Sequence, residues 1–280
     1  MTPGARMVPV ALRPSRLALW TLLAIALIGA TRIPEPFDGD QALFTLMARA
    51  LHRGATLYVD VWDNKQPGIF LFYWLAGRVF GFSEIGVHLL ELLYQLVTAA
   101  LLMWVMQREL RQPVFACVAG FLSVGSFYLG ATGWHLGQVE GLVGLPMLVS
   151  VALASQAAAS PVERRTRMLA AGVAAGVVTI FKLMLAPLPA LAWLVAYMVR
   201  HSEERPSGVR FFRDWLLPAI TGTGLLLGGT ALWTAFRGGL EELLWASFTY
   251  PVLAAAEFPR APWARLGESA LWFVSHYPIA

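Results

Sequence analysis

The segment from residue 32 to residue 83 combines acidic residues with a lysine, between two apolar parts of the chain. It contains Glu35, Asp38, Asp40, Asp60, Asp63 and Lys65. A carboxylate can take a proton from a reacting hydroxyl or hold a metal ion, and an ammonium group can bind a phosphate as a point charge. We therefore expect a polar site where this segment meets the membrane surface.

Asp40 precedes a run of apolar residues at helical spacing that ends near Gly54, a typical helix stop. The spacing predicts a helix with Asp40 at its N-cap. Such a residue can serve only to stabilise the helix, by ~1 kcal/mol, or it can also act in group transfer. The match of residues 38–40 to the DxD motif of nucleotide-sugar transferases is superficial, because that motif needs a soluble α/β domain.

The two lysines of the chain, Lys65 and Lys182, stand out against a basic content that is otherwise arginine. Lys65 precedes Pro67, which suits the first turn of a helix, so its ammonium is expected at the membrane surface. There it either binds a lipid phosphate or only extends toward the headgroups. Lys182 interrupts an apolar block, where a lipid-facing charge costs at least ~3 kcal/mol, so it is expected to face a polar cavity.

Positioning these side chains requires helices that cross a membrane. Apolar and aromatic residues make up 58% of the 280 residues and charged residues 14%, which excludes a soluble enzyme with a single core. Several apolar blocks approach the ~20 residues that cross a bilayer. The predicted fold is all-α, a polytopic transmembrane bundle of about seven to eight spans with periplasmic juxtamembrane helices. The blocks are 15–31, 84–107, 113–131, 139–158, 168–181, 183–199, 214–236 and one that begins near Ser269.

The distribution of arginine predicts the orientation of the chain in its membrane. Interpreting the run from Pro67 to Phe80 as a surface helix satisfies the positive-inside rule, whereas counting it as a span violates it. The N-terminus is then cytoplasmic, and segments 32–83, 132–138 and 237–268 lie on the non-cytoplasmic side. More than half of the 21 basic residues fall on the cytoplasmic side: Arg6, Arg13, Arg16, Arg108, Arg111, Arg164, Arg165, Arg167, Arg200, Arg205, Arg210 and Arg213.

The sequence allows two interpretations of several segments. Residues 168–199 are either a tight hairpin that turns near Lys182 or one long kinked span. Block 15–31 is either a span or a cleaved signal peptide. The single cysteine, Cys117, is expected to be a small buried hydrophobe. Segment 240–258 is either an interfacial aromatic belt or one wall of a substrate cavity.

The first loop resembles the N-terminal signature of the GT-C glycosyltransferases, in the bacterial branch related to protein O-mannosyltransferases and lipid A aminoarabinose transferases. In that family a D-E pair opens the first periplasmic loop, "G…PY.D.WD.K.P" follows, and a juxtamembrane helix ends in "FG". The matching residues here are Asp40-Gln41, Ala48, Gly54, Tyr58, Asp60, Trp62, Lys65, Pro67 and Gly81.

Two further stretches match in the same order. "HLGQVEGLVGLP" resembles the second periplasmic loop, where Glu140 would be the second site carboxylate. "AAGVAAGVVTIFKLMLAP" resembles the span whose lysine, here Lys182, faces the active-site cavity. The family's D-E pair is Asp40-Gln41 in this chain, so one carboxylate is lost and Asp38 could take part of its role.

The resemblance implies transfer of a sugar from a polyprenyl-phosphate donor to a periplasmic lipid, glycan or protein acceptor, with inversion. It also implies a bacterial inner (plasma) membrane, with the non-cytoplasmic segments in the periplasm. The implied catalytic residues are Asp40, Glu140 and Asp38. The implied binding residues for lipid phosphate or sugar are Lys65, Lys182, Tyr58, Asp60 and His135. A divalent metal is possible, no other cofactor is implied, and the expected partners include membrane lipids but no nucleic acid.

Each candidate also has a structural alternative. Glu140 could only complement a helix dipole, and His135 could be a packed loop histidine. Glu91 and Gln95, one turn apart, are expected to hydrogen-bond within the bundle. Residues 1–280 are interpreted as a GT-C-like transmembrane domain truncated at its C-terminal end, so an inactive truncated homologue is one alternative function. A polyprenyl-lipid transporter or flippase is the other.

Overall fold

The computed structural model describes residues 16–156, 158, 160–200, 207–257, 266–269 and 271. Arg6, Arg13, Arg205, Phe258 and most of the apolar block that begins near Ser269 lie outside these described residues. The described part is all-α, as predicted: it contains no β-strand, and one isolated bridge joins Leu57 and Val61.

The helices follow the apolar blocks closely. In chain order they are α1 (Arg16–Ala30), α2 (Asp40–His52), α3 (Pro67–Phe80), α4 (Glu84–Leu110), α5 (Pro113–Gly130), α6 (Val139–Ser155), α7 (Pro161–Phe181), α8 (Pro187–Arg200), α9 (Gly208–Phe236) and α10 (240–256). Local sequence explains two of the starts. The hydroxyls of Ser83 and Ser160 accept hydrogen bonds from the first turns of α4 and α7, and Pro161 occupies the first turn of α7.

The helical segments Glu84–Leu110, Pro113–Gly130, Leu183–Arg200 and Gly208–Phe236 are long and apolar enough to cross a membrane. Arg16–Ala30, Pro67–Phe80 and Val139–Ser155 are apolar but shorter. The chain is therefore a helical membrane bundle, as predicted from its composition. Cys117 is buried, as expected for a small core hydrophobe.

Residues 168–199 form a hairpin. Lys182 ends α7 with an extended backbone, a short turn at Leu183–Leu185 follows, and α8 runs back. Arg164, near the start of α7, and Arg200, at the end of α8, line the same small pocket, which places both at one end of the bundle. We call this the arginine end, defined by Arg164, Arg167 and Arg200. We call the opposite end, defined by Asp40, Lys65, Glu140 and Lys182, the site end.

Glycine allows α7 and α9 to pack closely along their length. A Cβ atom on Gly172 would collide with the backbone of Ala219, and one on Gly222 would collide with the backbone of Leu169. Thr223 adds a hydrogen bond from its hydroxyl to the carbonyl of Gly172, at 2.9 Å. Small residues and interhelical hydrogen bonds are the usual means of holding membrane helices together. This contact fixes α7, which carries Lys182 at one end and Arg164 at the other.

Helices α2 and α3 form a compact cap at the site end. Phe44 of α2 and Ile69, Phe70 and Tyr73 of α3 are fully buried. The Phe44 ring meets those of Phe70 and Tyr73 edge to face, at centroid distances of 5.7 and 5.5 Å. Helix α3 has the bounds predicted for the surface helix. Its apolar residues are used to anchor the first loop on the bundle.

Candidate active site

Asp40 is the first residue of α2, and its carboxylate faces Lys65. The N-cap is Gly39, not Asp40, so the predicted N-cap assignment is wrong by one residue. Asp40 keeps the favourable position of an anion in a first helical turn. Its side chain reaches Lys65: the Asp40 Oδ2 lies 3.6 Å from the Lys65 Nζ. The side chain of Lys65 is 39% exposed and that of Asp40 41%, so both remain open to a ligand.

A tight turn between α2 and α3 fixes the backbone of Lys65. The Tyr58 hydroxyl donates to the carbonyl of Lys65 at 2.7 Å, and the Lys65 N–H donates to Asp63 Oδ1 at 2.9 Å. Tyr58 is buried and has a φ of 73°, in the left-handed region. Burial and the neighbouring Asp63 carboxylate raise its pKa, so the hydroxyl stays protonated and remains a donor. The described contacts therefore make Tyr58 a positioning residue for Lys65.

Asp60 closes the same turn. Its Oδ2 accepts a hydrogen bond from the N–H of Thr56 at 2.6 Å, while the residue remains exposed. An aspartate that bonds a nearby backbone N–H is typical of turns. Its predicted contact with a sugar remains a prediction.

Glu140 and Lys182 form a second ion pair. Glu140 lies in the first turn of α6, and Lys182 immediately follows α7. The Lys182 Nζ contacts the Glu140 Oε1, and their side chains are 34% and 65% exposed. Lys65 is also close enough to act electrostatically on the Glu140 carboxylate. The two ion pairs are therefore neighbours in one charged group of two acids and two lysines, which we call the four-residue cluster.

Close packing of α3 on α7 brings the two lysines together. A Cβ on Gly68 would lie 2.7 Å from the carbonyl oxygen of Ile180, so only glycine allows this approach. Gln66 adds a contact, because its Oε1 accepts from the N–H of Leu183 at 3.5 Å. The residues that flank Lys65 thus touch the residues that flank Lys182.

Gln41 is a structural residue that the sequence did not reveal. Its side chain is fully buried, and its Nε2 donates to the carbonyls of Gly133 and Leu136, the latter at 2.7 Å. Its Oε1 contacts His88 Nε2 at 3.0 Å, and His88 Nδ1 contacts the carbonyl of Ile33 at 3.1 Å. The GT-C family that the chain resembles has a second acid at this position. Here the neutral side chain of Gln41 joins α2 to α4 and to the second loop through hydrogen bonds.

Three more side chains hydrogen-bond to the backbone of residues 137–142, the segment that contains Glu140. Tyr73 donates to the carbonyl of Gly137 at 3.2 Å, Gln95 to that of Gly141 at 2.9 Å and Tyr94 to that of Leu142 at 2.5 Å. Gln95 therefore hydrogen-bonds within the bundle, as predicted, whereas the buried carboxylate oxygens of Glu91 have no hydrogen-bond partner among the described residues, so that half of the prediction is wrong. Polar residues on helices otherwise rich in apolar side chains are the signal that could have indicated these contacts.

Asp38 and His135 make contacts that do not involve the four-residue cluster. Asp38 is exposed and packs near Gly133, and the ion pairs among the described residues do not include it. His135 is also exposed, and its Nδ1 accepts from the N–H of Thr132 at 3.3 Å. Both remain predicted site residues, and none of the ion pairs among the described residues joins either of them to the four-residue cluster.

Helix α10 returns to the first loop and forms an aromatic wall. The Trp62 ring lies 5.9 Å from that of Trp245 and 5.1 Å from that of Tyr250. Arg237 donates to the carbonyls of Gly54 and Ala55, at 2.9 and 3.1 Å. Helix α10 therefore packs against the first loop, and both interpretations of segment 240–258 remain predictions.

Within the described residues, no three His, Cys, Asp or Glu side chains come together in a group that could hold a metal ion. The acids of the four-residue cluster are each matched by a lysine instead. What the arrangement offers chemically is two cationic groups for an anion and two carboxylates beside them.

The helical bundle and the four-residue cluster define a membrane protein with a charged site at one end. The model of the dolichyl-phosphate-mannose-protein mannosyltransferase family matches residues 64–209, just over half of the chain. The chain belongs to this family and is a membrane glycosyltransferase of the mannosyltransferase kind. The matched range includes Lys65, Glu140 and Lys182, whereas Asp40 precedes it. No curated protein and no solved structure matches the chain significantly.

Proposed function

We propose that the protein transfers a sugar from a polyprenyl-phosphate donor to a periplasmic or cell-envelope acceptor. The observation that carries this proposal is the four-residue cluster, in which two exposed ion pairs lie side by side at one end of a membrane bundle. A lipid-linked sugar phosphate would bring its phosphate to this level of the bilayer. The family name supports a lipid-phosphate mannose as one such donor.

In the proposed reaction, Lys65 and Lys182 bind the phosphate that leaves. Their ammonium groups would stabilise the negative charge that develops as the bond between the anomeric carbon and the phosphate oxygen breaks. The phosphate keeps the electron pair of that bond. An acceptor hydroxyl attacks the opposite face of the anomeric carbon, so the configuration inverts. Asp40 accepts the hydroxyl proton, with Glu140 or Asp38 in a supporting role.

The ion pairs also suggest how donor binding prepares the base. Before binding, each lysine is neutralised by a carboxylate, which limits the charge left unpaired at the membrane surface. A donor phosphate competes for the same ammonium groups. When it takes them over, the Asp40 carboxylate loses its cationic partner and is free to contact the acceptor hydroxyl. Donor binding would therefore precede productive acceptor binding.

The proposed location is a bacterial inner membrane with the site end in the periplasm and the N-terminus in the cytoplasm. The support is the concentration of Arg164, Arg165, Arg167 and Arg200 at the opposite end, which fits the positive-inside rule. The branch related to bacterial protein O-mannosyltransferases and aminoarabinose transferases remains part of this proposal.

Transfer in proteoliposomes tests the proposal directly. The purified chain would be reconstituted with a radiolabelled polyprenyl-phosphate sugar and a hydroxyl acceptor, and both labelled product and donor translocation would be measured. Product formation supports the proposal. Translocation of intact donor without product would instead identify a flippase, and neither activity would identify an inactive homologue.

A further inference from the structure

A small pocket at the arginine end brings three guanidinium groups together. Arg164 and Arg167 reach it from α7 and Arg200 from the end of α8, and the rest of its lining includes Leu153 and Ala154 of α6. Lys182 follows Arg164 by 18 positions along α7, which corresponds to about 27 Å at the rise of an α-helix. The pocket is therefore separate from the four-residue cluster and lies at the opposite end of α7.

The pocket has an excess of positive charge. Arg200 lies close enough to Arg164 and Arg167 for their like charges to repel it. Arg167 is paired with Glu163, but no acidic side chain lines the pocket in the described part of the chain. The nearest acid in α9, Asp214, is already held by Arg165 at 2.7 Å and by Arg213 at 3.0 Å.

Arg164 also has a donor that is not used. Its Nε is buried and has no hydrogen-bond partner among the described residues. A buried donor without a partner is costly, and converging arginines repel one another until an anion lies between them. Phosphate oxygens satisfy both conditions, because guanidinium groups bind them with strong charge-assisted hydrogen bonds.

We propose that this pocket is a binding site for a phosphate group, supplied by an anionic phospholipid headgroup or by free phosphate. The pocket is narrow, so phosphate oxygens would enter it while the rest of the molecule stays outside. The surroundings suit a lipid, since Val162 and Val199 beside the arginines are 72% and 71% exposed and offer apolar surface to acyl chains. The bound anion would link the ends of α6, α7 and α8.

Ligand-induced stabilisation of the purified chain tests this site without any measurement of sugar transfer, so its outcome is independent of the proposed function. The thermal midpoint would be followed in detergent with phosphatidylglycerol, phosphatidylcholine or inorganic phosphate added. The variants are Arg164→Gln and Arg200→Gln, each alone. The matched control is Arg108→Gln, because Arg108 lies at the same end but stacks on Trp104 at 5.6 Å, outside the pocket.

We expect phosphatidylglycerol to raise the midpoint more than phosphatidylcholine, and each pocket variant to bind it about fivefold more weakly. The control should bind it normally. Stabilisation by inorganic phosphate with the same variant dependence would also support the site and identify free phosphate as sufficient. The proposal is overturned if neither anion stabilises the chain more than phosphatidylcholine, or if Arg108→Gln weakens binding as much as the pocket variants. If either pocket variant fails to fold, Arg164→Lys takes its place. This variant keeps the charge but loses the forked donor geometry, so it should bind phosphatidylglycerol more weakly than the wild type. Unchanged binding by Arg164→Lys would also overturn the proposal.

Discussion

Lys65 forms an exposed ion pair that can contribute little to stability and that leaves its ammonium open to a ligand. Its ammonium lies 3.6 Å from Asp40, and both side chains are about two-fifths exposed. A pair of this kind contributes at most ~1 kcal/mol to folding, because water competes for both charges. The arrangement keeps a cation available at the membrane surface, held in place through its backbone by Tyr58 and Asp63.

Replacing Lys65 with alanine should weaken donor binding with little loss of stability. Loss of one charge-assisted contact to phosphate should increase the dissociation constant roughly tenfold to hundredfold. Binding of a polyprenyl phosphate to the detergent-solubilised variant would measure it. Arg53→Ala removes an exposed cation near the end of α2 and should bind normally. Equal donor affinity for Lys65→Ala and the wild type would refute the assigned role.

Gln41 makes the opposite case, a polar residue that is buried and fully used. Changing it to glutamate would remove both N–H donors and place a carboxylate against two carbonyl oxygens. We expect a loss of ~2–4 kcal/mol in the free energy of unfolding. Gln112→Glu, an exposed change of the same type, should have little effect. Thermal unfolding in detergent compares the two variants. Similar midpoints would contradict a stabilising role for the hydrogen bonds of Gln41.

At the scale of elements, the contact between α7 and α9 determines where the charged residues of α7 lie. One helix presents Lys182 to the site end and Arg164 to the arginine end, so a shift of α7 would disturb both. Glycine makes the contact possible, because Gly172 lies against the backbone of Ala219. Close backbone approach replaces the hydrophobic driving force that membrane helices lack.

Gly172→Ala should therefore separate α7 from α9 and lower the free energy of unfolding by ~1–3 kcal/mol, a typical cost of overpacking. Gly224→Ala is the matched control, since nothing lies within 4 Å of the added carbon there. That variant should be neutral or slightly more stable because alanine favours helix. Chemical or thermal unfolding would distinguish them. A Gly172→Ala protein as stable as the control would mean that the helices are not in backbone contact.

The elements could be predicted from sequence more reliably than the site. Apolar blocks and helix signals gave bounds for α1, α3 and α4 that agree with the structure to within a few residues. Periodicity cannot show that Glu140 meets Lys182, because the partners are 42 residues apart and on different helices. The N-cap assignment failed because helix starts are set by local backbone geometry, and the role of Gln41 was missed because its partners are backbone carbonyls of a distant loop.

For the whole molecule, the two ends have opposite character. The site end pairs acids with lysines, whereas the arginine end carries an excess of guanidinium groups. Such a difference is what the positive-inside rule predicts for a bundle with one cytoplasmic surface. It would place the reaction on the side away from nucleotide sugars and would leave the lipid as the carrier of the activated sugar.

Cysteine labelling tests this orientation. Cys117 is buried, so single exposed cysteines can be introduced at the site end by Arg53→Cys and at the other end by Gln112→Cys. A membrane-impermeant maleimide applied to cells with a permeabilised outer membrane should label position 53. Position 112 should react only after the inner membrane is opened. Labelling in the reverse order would place the site end in the cytoplasm and contradict the proposed topology.

Sugar transfer by an Asp40→Asn variant tests most directly whether the four-residue cluster is the active site. Asparagine keeps the size of the side chain but cannot accept the acceptor's proton. We predict a loss of roughly 10²–10⁴-fold in the transfer rate in proteoliposomes, with normal membrane insertion and thermal stability. Glu84→Gln, which removes another acid from a first helical turn, should retain activity. Undiminished transfer by a well-folded Asp40→Asn protein would contradict the assignment.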